Sequence, residues 1–305
     1  MAINKAMHAA LKAISNMDVD IKKSYKLLRQ LDQIQAAPFR TSPFFPSRED
    51  VITLDGRTIP VRVFPVEKRP QSVLLFFHGG GWVTGSVDQY IHVCSHLSKH
   101  TQQTVVSVEY RLAPEYPFPA GLGDCYTAAK ALFTGQFLDG VPPEQITLIG
   151  DSAGGNLAAA VSLMAADKGE FTPSRQILIY PCTYNDHSES SPFASVRQNG
   201  TDYLLTSKQV EEYLDLYRSS DADRQNPYYA PLLAADLAGQ PRTLVITAQF
   251  CPLRDEGEAY AEKLRETGVT ADVVRLQDAL HGCLMLAPHF PHVKQIYQAI
   301  NDFLS

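Results

Sequence analysis

The sequence predicts an α/β fold built on a mostly parallel, doubly wound sheet with helices on both faces. Short runs of β-branched and aromatic residues alternate with stretches at helical spacing from residue 51 onward. Most of these runs are continuously apolar, as expected for strands that helices cover on both faces. The chain has 305 residues and is 45% hydrophobic, which is enough to bury one large core, with or without a smaller cap.

Seven runs are predicted as strands. In chain order they are VRVF (61–64), SVLLFF (72–77), TVVSVEY (104–110), QITLIG (145–150), RQILIY (175–180), TLVITAQF (243–250) and ADVVRL (271–276). Helical patterns lie between or after them at about 87–100, 120–135, 154–167, 255–267 and 291–304. Because strands and helices alternate, we expect parallel strands joined by helical crossovers.

Two segments depart from this alternation and predict a cap. Residues 1–36 place apolar side chains at helical spacing without a strand, at Ile21, Tyr25, Leu28 and Leu31. Residues 183–225 begin with polar residues and become helical through SKQVEEYLDLYR. Long excursions inside a compact domain are usually functional lids or disorder. The aromatic and aliphatic content of both segments favours an ordered cap.

Composition and charge argue against several classes of protein. The chain carries 27 basic and 33 acidic side chains, and no Lys/Arg run interleaves with aromatics, so nucleic acid and anionic membranes are poor partners. No apolar stretch approaches the roughly 18 residues that span a bilayer, and the N-terminus lacks the features of a signal peptide. The five scattered cysteines indicate a reducing compartment rather than a disulfide scaffold. We therefore expect a cytoplasmic protein.

The stretch IGDSAGGN (149–156) predicts a nucleophile. GDSAG fits the pattern G-x-S-x-G, follows a predicted strand and opens a predicted helix, which is the setting of a nucleophile elbow. We expect Ser152 to lie on a strained turn where side chains at 150 and 154 would collide, and both positions are glycine. A glycine-rich turn that only allows close packing would give the same pentapeptide, so this motif alone does not establish a nucleophile.

A second motif, HGGGW (78–82), supports acyl transfer. It follows the strand SVLLFF and precedes the first long helix. Acyl transfer creates an oxyanion that needs hydrogen-bond donors aimed at it before the reaction begins. Successive glycines let backbone N–H groups face that point without a side chain in the way. The amide of Ala153, directly after the nucleophile, is expected to be a further donor.

Four motifs together resemble the hormone-sensitive-lipase-like family of α/β hydrolases, the bacterial family IV esterases. They are HGGGW, YRLAPE (110–115), GDSAGGN and PLRDEG, in this order and spacing, and the resemblance covers about residues 50–305. It implies an α/β-hydrolase fold with an eight-stranded sheet, a cap made of N-terminal helices and an insertion after the sixth strand, and hydrolysis of short- to medium-chain acyl esters. With it, we expect N-terminal cap helices over 1–45, a catalytic domain over 46–182 and 226–305, and a cap insertion over 183–225.

The resemblance also implies roles for individual residues. By position, Ser152 matches the nucleophile and His281 matches the general base, while the oxyanion donors match Gly80, Gly81 and Ala153. His281 follows the last predicted strand at a loop, in the chain order Ser…acid…His that this fold uses.

The sequence departs from the family pattern at the catalytic acid. The family places an Asp directly after the strand TLVITAQF, and this chain has Cys251 there. The acid normally holds the imidazole in the right tautomer and stabilises the imidazolium. Three replacements are open: Asp255 reaching back to the imidazole, a Cys251 thiolate paired with imidazolium, or no acid at all. Asp255 also suits a helix N-terminus, and we favour that simpler role.

Metal and cofactor sites are not expected. His92, His96 and His100 share roughly one helical face, but no companion Cys or carboxylate supports a zinc site. Three other cysteines are interpreted as small buried hydrophobes, namely Cys94, Cys125 and Cys182.

The sequence thus predicts a serine carboxylesterase that works through an acyl-enzyme and is attenuated by Cys251. Two alternatives stay open. One is a catalytically impaired α/β hydrolase that binds a ligand, as some plant hormone receptors resembling this family do. The other is a thiol-switched esterase, since Cys251 and Cys283 should flank His281. The intact Ser152 and His281 favour an enzyme. The expected partner is a small ester, and a homodimer is left open.

Overall fold

A sheet of eight strands forms the centre of the computed structural model, which describes residues 5–15, 19–66 and 72–305. In chain order the strands are β1 (Arg48–Leu54), β2 (Arg57–Phe64), β3 (Val73–Phe77), β4 (Thr104–Val108), β5 (Ile146–Asp151), β6 (Arg175–Ile179), β7 (Arg242–Phe250) and β8 (Ala271–Leu280). Their spatial order is β1-β2-β4-β3-β5-β6-β7-β8. The pairs β1–β2 and β2–β4 are antiparallel, and the other neighbours are parallel. The predicted mostly parallel, eight-stranded sheet is confirmed.

Helices cover the sheet and continue into the cap. They are α1 (Lys5–Ser15), α2 (Ile21–Arg40), α3 (Ile91–Thr101), α4 (Ala120–Phe133), α5 (Ala153–Lys168), α6 (Ala194–Asn199), α7 (Ser207–Tyr217), α8 (Arg254–Glu266) and α9 (Pro291–Leu304). The five helices predicted after residue 86 are present, with ends shifted by at most a few residues. Within the described ranges, no helix is both long and apolar enough to cross a membrane.

The central strands follow the burial that their composition predicts. Every residue of β3, β4 and β5 is buried, because helices pack on both faces of the sheet there. The strand β1 was not predicted. It is an edge strand whose outer residues are charged or exposed, so only Ile52 and Leu54 enter the core. The turn Asp55–Gly56 joins β1 to β2 with positive φ at both residues, as a two-residue type I′ hairpin requires.

The cap combines helices from the two segments that broke the strand–helix alternation. Helix α2 packs against α7, and the backbone N–H of Ile21 donates to Glu212 on α7. Arg29 of α2 fastens the cap to the main domain, because its guanidinium donates to the carbonyl oxygens of Val83 and Ala113, both at 2.6 Å. Helix α7 therefore lies between α2 and the loop after β3, where the ring of Tyr213 lies against Gly81.

Candidate active site

The turn that carries Ser152, the predicted nucleophile, lies between β5 and α5. Ser152 has φ 56° and ψ −120°, a strained conformation for a residue with a side chain. A Cβ at position 150 would lie 2.2 Å from the carbonyl oxygen of Gly154, and a Cβ at position 154 would lie 1.9 Å from that of Phe77. The expected steric need for glycine at 150 and 154 is therefore confirmed. The turn presents the Ser152 side chain to a cavity above the sheet.

His281 meets the elbow from the loop after β8. Its Nε2 lies 2.9 Å from Ser152 Oγ, which is hydrogen-bond distance. The ring of Tyr180 packs at 4.7 Å from the imidazole, and the Tyr180 hydroxyl accepts the backbone N–H of Leu284 in the same loop. Desolvation by the surrounding protein lowers the pKa of His281 to about 3, so its imidazole is neutral at physiological pH.

Cys251, which the resemblance places at the position of the family acid, lies beside His281. Its Sγ lies 3.2 Å from His281 Nδ1, and it also accepts the backbone N–H of Leu253 at 3.4 Å. The side chain is fully buried, and burial raises the pKa of the Cys251 thiol, so the thiol keeps its proton. This shift runs against a thiolate paired with imidazolium.

Asp255, the alternative acid, is engaged elsewhere. One carboxylate oxygen accepts the backbone N–H of Ser195 on α6 at 2.7 Å, and the other accepts Arg254 Nε at 2.7 Å. Burial acts to raise the pKa of the Asp255 carboxyl, but these hydrogen bonds outweigh burial, so the pKa lies below its ordinary value. Asp255 lies in the first turn of α8, as the helix-dipole interpretation expects. The structure does not bring its carboxylate to His281, whose Nδ1 partner within the described residues is Cys251.

The loop after β3 brings backbone amides to the same place. Gly80 and Gly81 have φ of 116° and 59°, which an L side chain rarely adopts. A Cβ on Gly81 would lie 2.3 Å from the ring of Tyr213 on α7. Within the described ranges, no acceptor pairs with the N–H groups of Gly80, Gly81 or Ala153, so these donors are free for a ligand.

Asp151 is a site residue that the sequence analysis missed. Its Oδ1 accepts the N–H of Gly79 at 2.9 Å, and its Oδ2 accepts the hydroxyl of Tyr90 at 3.0 Å. The Tyr180 hydroxyl, which also binds the histidine loop, lies 3.4 Å from the same Oδ2. Burial raises the pKa of Asp151 to about 7. The Asp151 carboxyl group therefore connects the glycine loop with the residues that support His281. Its position directly before Ser152 was the signal in the sequence that could have identified it.

A cavity of about 200 Å³ opens above Ser152 and His281. Apolar side chains form most of its wall, among them Trp82, Leu205, Val210, Tyr213, Leu253 and Met285. The cap residues among them come from the insertion, and within the described ranges none comes from α1 or α2. A larger surface groove of about 610 Å³ beside β1 and β2 contains none of the predicted site residues.

The three histidines of α3 do not gather around a common point. His92 lies 3.3 Å from the carbonyl oxygen of Met285, His96 packs against the ring of Phe45, and His100 stacks on Tyr297.

Comparisons with known proteins agree on the fold. Residues 74–285 match the family model described as the alpha/beta hydrolase fold. The arylesterase of Saccharolobus solfataricus is 33% identical over 266 residues, which cover 86% of this chain and 85% of that protein. A carboxylesterase of Mycobacterium tuberculosis is 34% identical over 264 residues, covering 85% of this chain and 81% of that protein. The solved structure of a hyperthermophilic esterase from Pyrobaculum calidifontis has a TM-score of 0.87 at 33% identity and covers 100% of this chain and 98% of that one.

Proposed function

Because this chain belongs to the α/β-hydrolase family, in its hormone-sensitive-lipase-like group, we propose that it is a carboxylesterase with Ser152 as nucleophile. The observation that carries this proposal is the 2.9 Å contact between Ser152 Oγ and His281 Nε2 beneath an apolar cavity. A neutral imidazole at this distance can accept the serine proton as the hydroxyl attacks an ester carbonyl.

The reaction proceeds in two halves. Ser152 Oγ forms a bond to the carbonyl carbon while its proton passes to His281, and the carbonyl oxygen becomes an oxyanion. The free amides of Gly80, Gly81 and Ala153 donate to that oxyanion. The tetrahedral intermediate then expels the alcohol, which takes the proton from His281, and leaves an acyl-enzyme. Water deprotonated by His281 repeats the sequence and releases the carboxylic acid.

Cys251 attenuates this chemistry through the tautomer of His281. A carboxylate can only accept a hydrogen bond, so it holds the proton on Nδ1 and leaves Nε2 free to take the serine proton. A neutral thiol can also donate to Nδ1. The histidine proton then lies on Nε2 and points at Ser152, and that arrangement cannot start the reaction. The thiol also offers no negative charge to stabilise the imidazolium that forms.

The cavity favours a short acyl group. Its volume of about 200 Å³ is below the roughly 300–1,000 Å³ of sites for drug-sized ligands. Leu205, Val210 and Tyr213 of the cap insertion close one side, so longer chains require these side chains to move. We therefore propose acetyl to butyryl esters as the preferred substrates, with medium chains hydrolysed more slowly.

Hydrolysis of 4-nitrophenyl butyrate by the protein and by Ser152→Ala tests the proposal. We expect slow turnover that Ser152→Ala abolishes without loss of the folded circular-dichroism spectrum. A serine-directed phosphonate should label Ser152 alone, as peptide mass spectrometry would reveal. A label on another residue, or turnover that survives Ser152→Ala, contradicts the mechanism. A folded protein that binds esters without any turnover would instead support the ligand-binding alternative.

A further inference from the structure

A cluster of three buried side chains with metal-ligand chemistry lies behind the active-site cavity. The Cys182 thiol, the His187 imidazole and the Glu256 carboxylate place their ligand atoms within 4.8 Å of one another. Each of the three residues is at most 4% exposed, and the side chains of His187 and Glu256 have no accessible surface. His187 Nε2 and Glu256 Oε2 lie 2.5 Å apart, so a proton lies between them in the metal-free protein.

The carboxylate in this cluster is held in place before any ligand arrives. Glu256 Oε1 accepts the backbone N–H groups of Thr183 at 2.6 Å and Tyr184 at 3.1 Å. Its second oxygen, Oε2, is directed at His187. Rigid positioning of this kind lowers the cost of assembling a binding site.

The imidazole has a carboxylate behind it. His187 Nδ1 lies 4.0 Å from Glu211 Oε1 and makes no hydrogen bond within the described residues, although it is buried. Histidines that bind metals usually donate their second ring N–H to a carboxylate, a carbonyl or water. Glu211 Oε1 already accepts the backbone N–H of His187 at 2.5 Å, so it is held beside the ring, and a shift of about 1 Å by the imidazole would bring Nδ1 within hydrogen-bond range of it.

We propose that Cys182 Sγ, His187 Nε2 and Glu256 Oε2 bind one divalent transition-metal ion, with Zn²⁺ the best match. Thiolate, imidazole and carboxylate are the donors that Zn²⁺ takes in proteins, whereas Ca²⁺ and Mg²⁺ take oxygen donors. Cys182 also forms part of the cavity wall, so water from the cavity can reach the ion and complete a tetrahedron.

The geometry needs a modest adjustment. Zinc–ligand distances of about 2.0–2.3 Å set donor atoms in a tetrahedron about 3.3–3.7 Å apart. His187 Nε2 and Glu256 Oε2 must therefore separate by roughly 1 Å. Cys182 Sγ lies within 4.8 Å of the ligand atoms of the other two residues, so it is already close to the required separation.

Binding exchanges protons for the ion. The Cys182 thiol gives one proton to water, and the proton shared by His187 and Glu256 is the second to leave. Two positive charges enter and two leave, so the buried site gains no net charge. This balance matters because an uncompensated charge in such a place would be costly.

Metal titration of the full chain tests this site without using catalysis. The protein is freed of metal with a chelator, and Zn²⁺ binding is measured by equilibrium dialysis and by thermal unfolding. Co²⁺ serves as a spectroscopic probe, because a cobalt–thiolate bond gives a charge-transfer band in the near ultraviolet. We expect one equivalent bound, a Tm that rises with Zn²⁺ concentration, and the cobalt–thiolate band. The same results are expected in Ser152→Ala, so failure here is separable from failure of the esterase proposal.

The decisive variant is Cys182→Ala, which removes one ligand with little change in volume. It should weaken Zn²⁺ binding at least about 100-fold, the upper end of the effect of losing a group behind a ligand, and remove the cobalt–thiolate band. Cys125→Ala is the matched control, a buried cysteine on α4 outside the cluster, and it should bind as the parent does. No stoichiometric binding by the folded parent overturns the proposal. So does a band that survives Cys182→Ala and is lost in Cys251→Ala, because the ion would then lie beside His281.

Discussion

Replacing Cys251 with Asp is expected to raise kcat on an activated short-chain ester by about 10³- to 10⁴-fold. The site already holds the two nitrogen atoms that would donate to a carboxylate, once His281 carries its proton on Nδ1. The sulfur accepts the N–H of Leu253 at 3.4 Å and lies 3.2 Å from His281 Nδ1. A carboxylate reaches farther from Cβ than a thiol does, so one oxygen can accept from each donor. The surrounding loop therefore remains arranged for an acid.

Two independent arguments give this magnitude. Removing the acid from a serine-protease triad costs about 10⁴-fold in kcat, which is roughly 5 kcal/mol at 1.36 kcal/mol per decade. Separately, a carboxylate about 4 Å from an imidazolium contributes about 4 kcal/mol at an effective dielectric constant near 20, or about 10³-fold. The first estimate includes the loss of the correct tautomer as well as the loss of the charge, so it should exceed the second.

The assay compares kcat on 4-nitrophenyl butyrate for the parent, Cys251→Asp, Cys251→Asn and Cys251→Ala. Cys251→Asn is the matched control, because it has the shape of Asp without its charge and can donate to Nδ1. Folded Cys251→Asp that is no faster than Cys251→Asn refutes the argument from tautomer and charge. Asp255→Asn should change kcat little, since that carboxylate binds Ser195 and Arg254. An inactive but folded Asp255→Asn would mean that Asp255 supplies the acid.

Three further predictions concern pH, the glycine loop and oxidation. Burial holds the pKa of His281 below its ordinary 6.5, so the imidazole stays neutral and kcat/KM should persist as pH falls toward 4. Cys251→Asp should move the acid limb of the kcat/KM profile to higher pH. Coincident pH profiles for the parent and Cys251→Asp would contradict this. Asp151→Ala should lower kcat about tenfold or more with little change in KM, because it frees the N–H of Gly79 and loosens the oxyanion loop. Asp151→Asn should restore part of the rate. An unchanged kcat in Asp151→Ala would exclude a role for Asp151 in holding that loop. Mild oxidant should leave activity intact, because burial raises the pKa of Cys251 and raises that of Cys283 to about 12, so neither thiol forms the reactive thiolate. A loss of activity that a reductant reverses, with both thiols joined in a disulfide, would support the thiol-switched alternative.

The fold was predictable where the local pattern and the tertiary environment agree. Strands β3, β4 and β5 are continuously apolar because both of their faces are covered, so their composition reports their burial directly. Strand β1 escaped prediction because one face of an edge strand meets solvent, and its charged residues hide the period of two. The helix ends differ from the pattern by a few residues because caps and turns, not periodicity, set them.

The sequence alone determined the nucleophile elbow and the glycine loop as motifs, because their requirements are local: a strained turn at Ser152 excludes side chains at positions 150 and 154. Only the tertiary structure decided which groups meet across long separations. It brings Cys251 to the imidazole of His281, turns Asp255 toward Ser195 of the cap, and gathers Cys182, His187 and Glu256 behind the cavity. It also decided protonation, since burial is a property of the packed chain and not of a residue type, and burial keeps the Cys251 thiol neutral. Local spacing carries no information about either, because long-range contacts and desolvation arise only when the elements pack together.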